Sequence, residues 1–435
     1  MQRSGSSLRR ELSFIDAVSV GLGAIIGAGI FVLIGIAAGL AGPAVVLAVL
    51  ISALSATLTA FSFCELGSAL PRAGGVYEYG HELIHPMAGF LMGWMWVSGN
   101  IVLGATASQG FGYYLSALAP GVSFRLAAAA LVALVTLLNA LGTKLSASVN
   151  NAFVAVKVGV LVFFAALGLL DLNLGNFDPF APHGFAPVLQ AAALFYFAYI
   201  GFPRVAVLAE ELRDPERDLP RAILTALWSS AAIYLLVSVA AVGVAGWERL
   251  AASRAPLEEV SRMLGVGWVV GVGGLVATFS VVLTSVMGQS RVFFAMARNR
   301  EMPPSLSAVH PRLGTPLYSV LLSGSIMMVL VLTLDISGLA MVTSFLVLLS
   351  HVLTNVADLR LYLLGREPPF KAPLRPLHAA AGAVLSAVLA FSVEPRAQAF
   401  GCAVLLAGAL WYLLYTRLAR RGERGGQASV RPAAR

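Results

Sequence analysis

Charge is scarce in this sequence. Only 11% of its 435 residues are Asp, Glu, Lys or Arg, where a soluble domain carries about 25%. Hydrophobic residues make up 58%, and the mean hydropathy is +0.85. A fold in water could not cover so much apolar chain, so the bilayer is the solvent. Cysteine is scarcer still. Cys64 and Cys402 both lie in apolar runs, too few for a disulfide framework and placed as packing residues. The net charge of +8 is not gathered into a Lys/Arg patch interleaved with aromatics, which sets nucleic acid aside. In a membrane protein Lys and Arg serve topology instead.

What is present is one long apolar run after another. Stretches long enough to cross a bilayer, about 17–25 residues, fall at 14–40, 44–66, 87–118, 125–142, 148–170 and 187–209, then at 222–245, 267–297, 316–334, 337–362, 377–393 and 398–418. The run from Phe14 is too long for the apolar part of a signal peptide and reads as a retained first helix, with "LRREL" before it as a short interfacial helix. Lys and Arg concentrate in "LRREL", "GTKLS", "LRDPERDLPR", "MARNREMPPSLSAVHPR" and "RLARRGERGG", which all fall on one side of a twelve-span chain. The positive-inside rule makes that side, and both termini, cytoplasmic.

Two spans should not be continuous helices. The first holds "GLGAIIGAGIF", where Gly23, Gly27 and Gly29 permit either an unwound segment or close helix packing. The sixth holds "FAYIGFPRVAV", with Gly201 and Pro203 in mid-span and Arg204 so deep that it must face a cavity or a partner. Interruptions five spans apart are the footprint of an inverted repeat with a binding site at the broken midpoints. Half-helix N–H groups attract a carboxylate and opposing carbonyls attract an ammonium, which suits a small zwitterion. These features predict a secondary transporter.

Four blocks in order, "GLGAIIGAGIF", "ELGSALPRAGGVYEY", "FAYIGFPRVAVLAEELRDPERDLPRAI" and "GQSRVFFAMARNREMPPSLSAVHPRLGTP", resemble the amino acid–polyamine–organocation superfamily, in its bacterial, cationic-amino-acid-transporter-like branch. The resemblance runs from about residue 11 to about residue 320. It implies an all-α integral membrane protein of the inner cell membrane with the LeuT-type fold of two inverted five-helix repeats. The expected organisation is a cytoplasmic N-terminus at 1–13, repeats at 14–170 and 187–362, two additional helices within 377–418, and a basic cytoplasmic tail at 419–435. It further implies a substrate carboxylate against Ile25, Gly27, Ala28 and Gly29, and an α-ammonium at the carbonyls of Phe197, Ala198 and Ile200, with Phe197 as an aromatic gate. The family often has a small hydroxyl residue where Ala28 stands, and the Ala28 methyl supplies no side-chain bond to the carboxylate.

Lys157 lies inside the fifth span. A lysine at the bilayer centre costs about 2.5–3.5 kcal/mol, unless it snorkels to the interface. Proton-coupled members that the chain resembles carry a lysine here, in place of a sodium ion between the first and eighth helices. By that likeness Lys157 should bond to carbonyls near Gly21 to Ala24 and to Thr284 or Ser285, and load and unload a proton in each cycle. The implied function is proton-coupled import of L-amino acids, without cofactor or metal. An exchanger or a polyamine permease of the same fold, and more remotely a non-transporting sensor, stand as alternatives. No carboxylate is evident at mid-membrane, which favours small neutral substrates. Glu65 reads as a paired carboxylate at the end of the second span, and Glu210, Glu211 and Arg213 as an ion-pair gate or loop anchor.

One motif points elsewhere. His81-Glu82-Leu83-Ile84-His85 spells the H-E-x-x-H of zinc proteases, where two imidazoles on one helical face hold the metal and the Glu activates its water. Pro86 follows at once, leaving barely a turn of helix. The later aspartates Asp171 and Asp335 belong to the opposite membrane face, so the motif lacks its context and the chain is not expected to be an enzyme.

Overall fold

A computed structural model describes residues 12–428 apart from 72–73, 142–146, 208–211, 312 and 314; the side chains of 147–150 and 417–428 are outside the description. "LRREL" up to residue 11, Glu210 and Glu211 therefore lie outside the described residues. Those described form helices and no named strand, with one isolated bridge between Leu12 and Leu212.

Each predicted apolar stretch is helical. The first is α1 (Phe14–Ile25), a break, a π-helical turn (Gly29–Leu33) and α2 (Ile34–Ala41). Ser13 starts α1 by a capping box: its hydroxyl accepts from the Asp16 N–H, and the Asp16 carboxylate accepts from the Ser13 N–H. A tight turn at Gly42–Ala44 leads into α3 (Val45–Ala69). Next come α4 (Val76–Leu83), α5 (Pro86–Leu118), α6 (Phe124–Ala140) and α7 (Ala147–Leu170). The sixth stretch is α8 (Ala186–Phe195), a 3-10 turn (Tyr196–Tyr199) and the short α9 (Pro203–Val207). Beyond it run α10 (Pro215–Ala245), the small α11 (Trp247–Ala252) and α12 (Pro256–Met263), and α13 (Gly267–Arg298). Last are α14 (Leu317–Thr333), α15 (Ile336–Leu363), α16 (Leu377–Ser392) and α17 (Pro395–Ala428).

Eight helical stretches among the described residues are long and apolar enough to cross a membrane. The first of them is the 56-residue Phe14–Ala69, about 84 Å if straight and so far longer than one crossing of a hydrocarbon core of about 30 Å. Shorter apolar helices lie at Phe124–Ala140, Leu317–Thr333 and Leu377–Ser392. Leucines such as Leu126, Leu137, Leu170, Leu406 and Leu414 are exposed on α6, α7 and α17, an outward apolar face that fits lipid rather than water. The protein is thus multi-pass.

The interior is built around α5, which packs against α6, α13 and α15, while α3 and α1 pack on α10. Two details depart from the sequence reading. Helix α10 begins at Pro215 rather than residue 222: proline at the first helical position loses no intrahelical hydrogen bond, and Pro220 lies inside the helix. The connection between the stretches at 222–245 and 267–297 holds the helices α11 and α12, and α12 packs on the π-helical turn.

Candidate functional site

The two interrupted helices meet at their interruptions. Helix α1 ends at Ile25; the N–H of Ile26 still bonds back to the Leu22 carbonyl, while Ile26 itself is extended. The chain re-enters helical geometry at Ala28. Opposite, α8 gives way to the 3-10 turn and helical geometry resumes at Pro203, whose missing N–H would be an orphan there anyway. Glycine is required at both contacts. A methyl group at Gly29 would overlap the backbone of Ala198, and one at Gly201 would overlap the carbonyl of Ala24 and the nitrogen of Ile25.

All seven residues expected to hold substrate are brought together here and all are buried, Phe197 included. Their backbone groups are not equivalent. Ile25 belongs to α1 and offers its carbonyl, which accepts the Tyr234 hydroxyl at 2.9 Å. The same hydroxyl reaches the Ala198 carbonyl at 3.3 Å, so Tyr234 of α10 spans both breaks. Gly27, Ala28 and Gly29 open the resumed helix, where the first N–H groups have no preceding turn to bond. At the other break the Phe197 carbonyl takes the Ile200 N–H at 3.3 Å. The Tyr199 hydroxyl is buried with no partner among the described residues. The Tyr196 hydroxyl shares a 2.6 Å bond with His351 Nδ1. Sequence reasoning passed over Tyr234 because a tyrosine in an apolar run carries no sign of which backbone it will reach.

Lys157 does not snorkel. It is completely buried, and its Nζ donates to the Gly23 carbonyl at 2.7 Å, the Ile26 carbonyl at 2.9 Å and Ser280 Oγ at 2.9 Å. It thus joins α7 to the break in the first stretch and to α13. The hydroxyl partner differs from the expected pair. Thr284 lies one turn further along α13 and takes Arg204, and Ser285 bonds its own helix at the Val282 carbonyl. Arg204 meets no carboxylate among the described residues; its Nη1 donates to Thr284 Oγ1 at 2.7 Å and its Nη2 to Asn100 Oδ1 at 3.2 Å.

The remaining polar candidates have structural tasks. Glu65 is fully buried, accepting from the Ala372 N–H at 2.8 Å and pairing with Arg375 Nε at 2.9 Å. Arg213 anchors the segment after α9 through its backbone, donating to the Leu12 carbonyl at 3.2 Å. In "HELIH", α4 ends at Leu83. His85 is extended and caps α5, its Nδ1 accepting from the Met87 N–H at 3.2 Å, while His81 faces Glu301 at 3.8 Å. The two imidazoles do not share a helical face, because Pro86 starts a helix rather than ending one.

The profile of a family described as "Amino acid permease" matches residues 16–357. The chain is 38% identical over 436 residues to a protein of Mycobacterium tuberculosis named an uncharacterized transporter, covering 98% of this chain and 97% of that one. It is 34% identical over 374 residues to the branched-chain amino acid permease of Bacillus subtilis, covering 81% and 80%. To the methylthioribose transporter of Bacillus subtilis it is 30% identical over 396 residues, covering 86% and 85%.

Proposed function

Because the chain belongs to the amino acid permease family, a family of transporters and not enzymes, we propose that it imports L-amino acids with protons, by alternating access. The helices are read as twelve spans of the cell membrane with cytoplasmic termini. They form two inverted five-helix repeats, residues 14–170 and 187–362, and two further helices within 377–418. Support comes from the breaks in the first and sixth stretches, which lie against each other as the repeat architecture requires. In this reading the N–H groups of Gly27, Ala28 and Gly29, beside Ile25, receive the substrate carboxylate. Carbonyls at Ala198 and Ile200 receive the ammonium, and Phe197 closes over it.

The observation that carries proton coupling is Lys157, a buried ammonium bonded to two carbonyls at the first break and to α13. When protonated it braces the first helix; when it loses its proton that brace weakens and the inward path opens. An exchanger with Lys157 as a fixed structural cation is the second reading, favoured by the same three bonds, which fully occupy an ammonium. Polyamine transport is disfavoured: each buried carboxylate among the described residues is engaged elsewhere, Glu65 with Arg375, Glu258 with Arg262, Glu301 with Tyr77 and Asp358 with His378.

The test is uptake of labelled L-amino acids into proteoliposomes, with and without an inward proton gradient. Accumulation that requires the gradient, and is lost in Lys157→Gln while exchange persists, is the expected outcome. Uptake that ignores the gradient and needs internal amino acid would establish exchange instead.

A further inference from the structure

The transport reading gives Arg204 no task, yet its position is costly. It stands at the start of α9, only 6% exposed. Its two hydrogen-bond partners, Thr284 and Asn100, are neutral, and its Nε has no partner among the described residues. A guanidinium taken out of water without an anion is strongly unfavourable, and in a membrane such a group faces a partner or a cavity on the transport path. The chain supplies no anion among its described residues, since each buried carboxylate is paired elsewhere.

The location says where an anion would come from. Thr284 is one turn along α13 from Ser280, which holds Lys157 beside the first break. That places the Arg204 contact about 6 Å along the helix from Ser280. Helix α9 itself resumes from the sixth break. A zwitterion whose carboxylate and ammonium are held by the two breaks has only its side chain left to present towards Arg204. The unpartnered Nε and an adjacent Nη form the planar fork that binds a carboxylate through two parallel bonds. We propose that the Arg204 guanidinium receives the side-chain carboxylate of the substrate, so that the chain selects acidic L-amino acids over neutral and basic ones. The proposal names the substrate class of the transport reading and rests on it. It replaces the sequence-based preference for small neutral substrates.

Wild-type protein, Arg204→Gln and Arg204→Lys in proteoliposomes under an inward proton gradient provide the test, with labelled L-glutamate and L-aspartate set against L-glutamine and L-alanine. The acidic pair should enter the wild type in preference, and Arg204→Gln should lose at least about tenfold of that uptake, the effect of losing a charge-assisted hydrogen bond. Neutral uptake in the same variant should be kept or raised, and Arg204→Lys, which keeps the charge but not the fork, should fall between. If Arg204→Gln does not fold, the wild type alone decides: L-glutamate should raise its melting temperature in detergent and the isosteric L-glutamine should not. Neutral uptake by the wild type without acidic uptake, acidic uptake unchanged in Arg204→Gln, or equal stabilisation by both ligands would overturn the proposal and leave amino acid transport standing. Uptake of no amino acid at all would remove both readings together.

Discussion

Gly201 packs its α-carbon on the backbone where α1 ends, and that closeness makes it a single-atom test of the paired breaks. Gly201→Ala should cost about 1–3 kcal/mol, the usual range for overpacking, and abolish uptake, since backbone cannot move aside as a side chain can. Gly159→Ala on α7, where an added methyl meets nothing within 4 Å, should leave melting and uptake unchanged. Equal melting temperatures for the two variants in detergent would dismiss the close contact. Glu301, in the segment after α13, offers a test in pH. Burial raises its carboxyl from the ordinary 4.5 to about 7; the hydrogen bond from Tyr77 draws it back, and the charge of Glu78 adds to the rise. The folded state therefore holds this proton more tightly than the unfolded chain. The resulting stability is complete below about pH 4.5 and is lost as the pH climbs through about 7. Melting curves from pH 5 to pH 8 should show the wild type losing stability relative to Glu301→Gln, and parallel curves would refute the assignment.

At the scale of elements, the breaks were legible and the connections between them were not. Gly27, Gly29, Gly201 and Pro203 announce their geometry because few other residues suit those backbones. The helices themselves could be read from unbroken apolar length, which is what a bilayer demands. Tyr234 and Ser280 stayed hidden because one hydroxyl in an apolar helix looks like another until packing aims it. Helices α11 and α12 were missed for a different reason, as each is only two turns or so of mixed polarity. Tyr234→Phe tests the connection. It removes the donor to the Ile25 and Ala198 carbonyls, and should cost about 1–3 kcal/mol for buried acceptors left without a partner. Substrate affinity should fall with it, read as a raised KM for uptake; an unchanged KM would make Tyr234 only a packing residue.

For the whole molecule, two buried ties hold the helices in register. One is polar and peripheral: Glu65 of α3 with Arg375 and the Ala372 N–H, and beside it Asp358 of α15 with His378 of α16 at 3.0 Å. Glu65→Gln should destabilise by about 3 kcal/mol, the low end for breaking a buried pair, because Arg375 keeps Glu367 at 3.4 Å and the Tyr362 ring. Lys371→Ala, at an exposed and solvent-screened pair, should leave melting nearly unchanged; if the two variants melt alike, the buried pair is not what holds α3 to the segment before α16. The other tie is Lys157, where three acceptor oxygens from α1, its break and α13 surround one nitrogen. An ammonium has a hydrogen for each. A neutral amine in the same place has two hydrogens and a lone pair, so it keeps all three contacts only if Ser280 turns its hydroxyl hydrogen from the Ala277 carbonyl to that lone pair. A single departing proton would then reverse one hydrogen bond and cost α13 another, loosening a contact among three helices.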